Sequence, residues 1–216
     1  MSDVLLPATL LFRLAIPCQY LAPSKGKHGQ LTDKYLLPWP GELEGKKPYA
    51  KLWAAWNEHG LIFQLLVTGK GQRPWCRDSR IEDSDGLQLW IDTRNTQNIH
   101  RAGRFCHRMV YLPAGSGRNL DEPMCAMLAI NRAKESPREI ERDALKIDRQ
   151  WKNDGYWLEA IIPASALTGY SPADQPAIGF MYAVVDRERG WQCFTLGPEF
   201  PIAEDPSLWS TLELTK

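Results

Sequence analysis

Apolar residues in this chain come in short runs, and each run is closed by Gly, Pro, Asn or Asp. Runs of that length between turn formers read as strands, since a helix needs a longer stretch with an apolar stripe on one side. The candidates are Leu10–Ile16, Lys51–Trp56, Leu61–Thr68, Gly86–Thr93, Phe105–Leu112, Met124–Asn131, Leu145–Trp151, Tyr156–Ile162, Ala177–Asp186, Trp191–Leu196 and Ser210–Leu214. With no long amphipathic helix among them, the pattern predicts an all-β fold, an antiparallel β-sandwich. Polar turns at Trp56–Gly60, Lys152–Gly155 and Asp186–Gly190 join consecutive runs as hairpins. Along Leu61–Val67 both faces are apolar, as in a central strand covered on both sides. Along Gly86–Thr93 only Leu87, Leu89 and Ile91 share an apolar face, so the face of Gln88, Trp90 and Asp92 is expected to be wet. Asp33–Pro48 and Arg132–Asp143 lack periodicity; the second has room for one short helical turn but reads first as a solvated loop.

Composition sharpens this picture. The 216 residues fit one large domain, and no repeat or linker divides them, so residues 1–216 are read as a single β-sandwich. Nine Trp and 16 Pro favour strands over helices. Lys+Arg and Asp+Glu are both 26, so no net positive field would gather a nucleic acid, and no apolar run is long enough to span a membrane. Five cysteines, an odd number without a CxxC pair, fit a reducing compartment better than a disulfide framework. The N-terminus from Met1 to Pro7 has no positive region before its apolar stretch and fits a secretory signal poorly, so the expected location is cytoplasmic.

Three segments appear in a telling order: Ala54-Ala-Trp-Asn-Glu-His-Gly-Leu-Ile-Phe-Gln-Leu65, Asp83-Ser-Asp-Gly-Leu-Gln-Leu-Trp-Ile-Asp-Thr93 and Tyr156-Trp-Leu-Glu-Ala-Ile-Ile-Pro-Ala-Ser-Ala-Leu167. Asp205-Pro-Ser-Leu-Trp-Ser-Thr-Leu-Glu-Leu214 closes the series. From about residue 50 to 214 the chain resembles the family 9 carbohydrate-binding modules and their DOMON-like relatives. The resemblance implies a β-sandwich that binds sugars without catalysis, in some members with calcium and often beside a glycoside hydrolase domain, which would link it to carbohydrate catabolism.

Sugar rings stack their C–H faces on flat, wet aromatic side chains, while neighbouring polar groups hold the hydroxyls. Trp75, in a polar loop with Arg77 and Asp78, and Trp191, directly after Gly190, are the expected platforms. Trp53, Trp56, Trp90, Trp151, Trp157 and Trp209 lie in or beside strands and are assigned to packing. The proposed site joins the 69–85 loop, with Asp85, to the 100–105 segment, with His100, Arg101 and Arg104, and to the Trp191 turn. Asp83 and Asp85 are weak candidates for a calcium ion, although Leu87 and Ile91 stand where an EF-hand would place ligands. Three alternatives remain open at this point: a metal- or haem-binding DOMON-like domain, although His107 and Met109, two residues apart on one strand, could not be opposite axial ligands of a haem; a hydrolase using acidic loop residues, with Asp83 on a loop and Glu159 on a strand; and a scaffold without a small ligand.

Overall fold

The computed structural model describes residues 8–11, 13–23, 29–141 and 143–216. Met1 to Pro7, on which the signal-peptide reading rests, and Arg142 lie outside the described residues. Eleven strands form the fold: β1 (Ala15–Tyr20), β2 (Ala50–Asn57), β3 (Gly60–Val67), β4 (Gly86–Asp92), β5 (Cys106–Ser116), β6 (Glu122–Leu128), β7 (Lys146–Lys152), β8 (Gly155–Pro163), β9 (Ala177–Asp186), β10 (Gly190–Cys193) and β11 (Ser210–Thr215). They follow one hydrogen-bonded path, β6-β5-β4-β9-β11-β1-β2-β3-β8-β7, with β10 added to β9. The path folds back so that its halves face each other: the rings of Phe63 on β3 and Phe180 on β9 stack 5.6 Å apart at 1°, and the Tyr111 hydroxyl on β5 donates to the Ile161 carbonyl on β8. The two end strands, β6 and β7, come within 8 Å between Cα atoms, so the sandwich is nearly closed.

The expected run at Leu10–Ile16 is replaced by a 3-10 turn at Ala8–Leu11 and by β1. β1 is also the exception to antiparallel pairing, since it runs parallel to β11 and, at Gln19 and Tyr20 only, to β2. Pro17 therefore sits where β2 does not bond to β1, a place that tolerates its missing N–H. The remaining runs become strands close to their expected bounds, and the segment at 132–141 contains no helical turn among the described residues.

The inner faces supply one core from both layers, including Leu61, Phe63 and Leu65 from β3, Leu158 and Ile162 from β8, Leu89 and Ile91 from β4, and Phe180 and Tyr182 from β9. The outer face of β2 and β3, with Trp53, Ala55 and Ile62, is covered by Leu31, Tyr35 and Leu36. This accounts for the two-sided apolar pattern of Leu61–Val67. The outer face of β4 is dry, against expectation: Gln88, Trp90 and Asp92 are all buried. The preceding loop makes this possible, since Gln88 donates to the Glu82 carbonyl and accepts from Arg108, whose guanidinium lies 5.4 Å from the Trp90 ring and also pairs with Glu82. Gln88 and the Arg108 Nη atoms are thereby paired, while Trp90 Nε1 and Arg108 Nε have no hydrogen-bond partner among the described residues.

Candidate functional site

At the end of the sandwich where β4 begins and β9 stops, the loop 68–85, the turn 186–190 and the hairpin 152–155 meet. They are tied by a buried ion cluster. The Lys70 ammonium pairs with Asp85 at 3.3 Å and with Asp186, and its side chain is 2% exposed. Asp85 also accepts the backbone N–H of Trp75 at 3.0 Å and of Arg187 at 2.8 Å, while Asp186 accepts those of Glu188 and Arg189. Burial raises the Asp85 carboxyl above its usual range, and the Arg187 and Trp75 amides pull against that rise. Buried charges demand this degree of pairing. The result is mechanical: one carboxylate fixes the segment carrying Trp75 to the turn carrying Arg187.

Trp75 is half-buried and lines an open cleft of about 460 Å³ with Gln72, Arg73, Pro74, Arg77, Arg187 and Glu188. Its ring is attended by the Arg187 guanidinium at 4.0 Å from the centroid and by that of Arg77 at 5.6 Å. Glu188 accepts the N–H groups of Gly71 and Gln72, and the Gly71 amide holds its carboxyl below the usual range. A second hollow, of about 320 Å³, opens on the other side of Arg73 and Pro74 and is lined by Trp151, Lys152 and Asn153. Trp191, 43% exposed, stands at the same end of the sheet, opposite Val185, which pairs with Gly86. Both expected platforms are thus at the surface, whereas Trp53, Trp56, Trp90, Trp157 and Trp209 are buried and Trp151 is half-buried.

The structure does not bring all the expected residues together. β4 has seven residues, a length of about 20 Å at a strand's rise, and His100, Arg101 and Arg104 follow its far end. There Arg101 donates to the Arg132 carbonyl, Arg104 lies 4.0 Å from Glu135, and His100 Nδ1 meets both Asp205 and Ser207 at 3.1 Å. The last trio is not a nucleophilic triad, because there the serine and the carboxylate must address opposite nitrogens of the ring. Asp78 is exposed and accepts the Ser79 N–H. Asp83 is exposed and paired with Arg80, whereas Asp85 is buried on Lys70, so the two do not converge on a calcium ion. Among the described residues no three His, Cys, Asp or Glu side chains do so. His107 and Met109 lie fully buried on the core face of β5, with His107 Nε2 accepting the Thr168 N–H, so neither faces a space for haem.

A larger opening of about 680 Å³ lies at the seam of β6 and β7, lined by Met124, Cys125, Met127 and Leu145, but no aromatic side chain lines it. Sequence reasoning missed Lys70, Arg73, Arg187, Glu188 and Trp151 at the loop end. The only signal was the density of arginine in the Asp186–Gly190 turn, which was read as a connector.

No family model matches the sequence, and no curated protein does. Solved structures do match its fold. A family 9 carbohydrate-binding module of Caldicellulosiruptor kristjanssonii in complex with cellotriose superposes with a TM-score of 0.61 at 14% identity, covering 94% of both chains. A structure of such a module from the same organism, in complex with glucose, gives 0.58 at 14% identity over 93% of this chain and 95% of that one. A candidate carbohydrate-binding protein from Bacteroides uniformis gives 0.57 at 12% identity over 94% of this chain and 98% of that one. The chain therefore has the β-sandwich fold of the family 9 carbohydrate-binding modules. No helix among the described residues is long and apolar enough to cross a membrane.

Proposed function

We propose that this protein binds a carbohydrate, without acting on it, at the loop end built around Trp75. The observation that carries the reading is a half-exposed indole on the wall of an open cleft, flanked by guanidinium donors and set on a loop that the buried Lys70–Asp85–Asp186 cluster holds in place. A flat indole with guanidinium donors on and beside it suits a sugar, and the pinned loop limits the ordering cost of binding. The fold shared with modules solved on cellotriose and glucose supports the same reading. Trp191 is the second platform at this end.

Both carboxylates that line the cleft accept backbone N–H groups, Asp85 those of Trp75 and Arg187 and Glu188 those of Gly71 and Gln72, positions that favour holding the loops over cleaving a glycosidic bond. Five cysteines without a bond among them suit a reducing compartment such as the cytoplasm.

The test is titration of the purified chain with a broad sugar panel, followed by intrinsic tryptophan fluorescence and calorimetry. Trp75→Ala should weaken the best ligand by about ten- to a hundredfold, the equivalent of about 1–3 kcal/mol of lost stacking and burial. Its melting temperature should stay within a few degrees, because the Trp75 N–H that Asp85 accepts belongs to the backbone and survives the substitution. A wild type that binds nothing on the panel refutes the reading, as does a Trp75→Ala protein with unchanged affinity.

A further inference from the structure

We infer that the sugar is an anionic one, bearing carboxylate or sulfate groups; this rests on the reading of the loop end as a sugar site. The chain as a whole is neutral, with 26 basic and 26 acidic residues, so a cationic region must come from uneven placement. The loop end is such a region. Among the described residues, no carboxylate lies within 4.0 Å of the guanidinium of Arg77, Arg187 or Arg189. Arg77 donates only to the carbonyl of Cys76, and the Arg187 side chain donates to no described acceptor. The nearby acids are already engaged: Asp85 and Asp186 by Lys70 and four backbone amides, and Glu188 by the amides of Gly71 and Gln72. The arginines at the mouth thus lack carboxylate partners: Arg77 and Arg189 donate only to the Cys76 and Gly69 carbonyls, and Arg187 to no described acceptor.

The position of Arg187 selects among sugars. Its guanidinium lies over the Trp75 ring, 4.0 Å from the centroid, so it covers a face of the indole. A neutral ring stacking on that face would displace the guanidinium and offer it only hydroxyl acceptors, without a charge. An acidic ring can lie beside Trp75 and set its anionic group on the guanidinium fork, which matches carboxylate and sulfate geometry. The same pairing is repeated next door, where Trp151 carries Arg149 at 4.0 Å and, at 5.5 Å, Arg73, which also pairs with the exposed Asp121 at 3.4 Å. Lys70, Gln72, Arg73 and Pro74 line both hollows, so the two share a wall. Adjacent ring-and-guanidinium pairs suit an acidic oligosaccharide rather than a single sugar.

Calorimetry on the full chain tests this with three sets of oligosaccharides of equal length: uronate-containing, sulfated, and neutral cello- and xylo-oligomers, each at about 50 mM and about 500 mM salt. At least one anionic set should bind about tenfold or more tighter than the neutral set and weaken as salt rises, and the comparison of the two anionic sets tells carboxylate from sulfate. Arg187→Gln should reduce that binding about tenfold, with Arg187→Lys retaining part of it and neither moving the melting temperature, since Asp85 holds the backbone of residue 187 rather than its side chain. Equal or tighter binding of neutral sugars, or anionic binding untouched by Arg187→Gln, overturns the inference and leaves the sugar site standing. Binding of no sugar in any set overturns both.

Discussion

At the scale of single residues, burial decides chemistry more often than residue type does. Asp85 looked like a ligand because it sits among acidic neighbours, yet its carboxylate is fully used by Lys70 and two backbone amides. His107 is a core residue whose Nε2 accepts the Thr168 N–H, so Nδ1 holds the proton in the neutral ring. Burial lowers its pKa to about 4, against a partial pull upward from the Ile91 and Phe105 carbonyls. Between the ordinary value and about 4 the unfolded chain takes up a proton that the folded chain refuses, so stability must fall as pH falls through that window. The loss from this residue reaches about 3 kcal/mol near pH 4. Asp85 and Asp92, whose carboxyls burial raises, contribute with the opposite sign, so the comparison must be with a variant. Urea unfolding at several pH values between 7 and 4.5 should show a shallower acid loss in His107→Gln, whose amide oxygen can still accept from Thr168. An identical slope would assign the acid sensitivity elsewhere.

At the scale of elements, the hairpins are set by close backbone approaches that only certain residues permit. Gly60 opens β3 with φ of +141°, and a Cβ there would lie 2.0 Å from the Ile162 carbonyl oxygen on β8. Asn57 completes the turn, its side-chain oxygen accepting the His59 N–H and its amide donating to the Leu21 carbonyl. Gly60→Ala should therefore cost about 3 kcal/mol or more and lower the melting temperature by about 6–12 °C. A melting temperature within about three degrees of the wild type would show that β8 yields to the added methyl. The loop end obeys the same logic with ions in place of glycine: Lys70 joins the 68–85 loop to the 186–190 turn, so no element there is positioned by its own sequence alone.

At the scale of the whole molecule, the nearly closed sandwich shields its thiols. Cys18, Cys76 and Cys106 are buried, and burial pushes each of their thiols up to about 12. Cys125 and Cys193 are half-buried, raised to about 11 and about 12 by the same cause. A thiol reagent at mildly alkaline pH should find five free thiols in denaturant without reductant and react far more slowly with the native protein, since the thiolate is the reactive form. Fast native modification of Cys18, Cys76 or Cys106 would contradict the closed core, and fewer than five thiols in denaturant would indicate disulfides.

The sequence by itself determined most of the strands, the hairpin turns and, Trp151 apart, the sorting of the assigned tryptophans between core and surface. Those features are local: alternation places each side chain on a face, and Trp75 escapes burial because it follows Pro74 in a polar loop while Trp56 shares the core face of Leu52 and Ala54. Only the tertiary structure decided which loops share an end. His100 and Trp75 flank the same strand in sequence and lie a strand's length apart, whereas Lys70, Asp85 and Asp186, spread over more than half the chain, meet in one buried cluster. The parallel course of β1 and the dry outer face of β4 were likewise decided there. Periodicity records which face of a strand is covered, but it holds no record of which distant segment covers it, because strand pairing and loop contacts join residues whose sequence separation leaves no local trace.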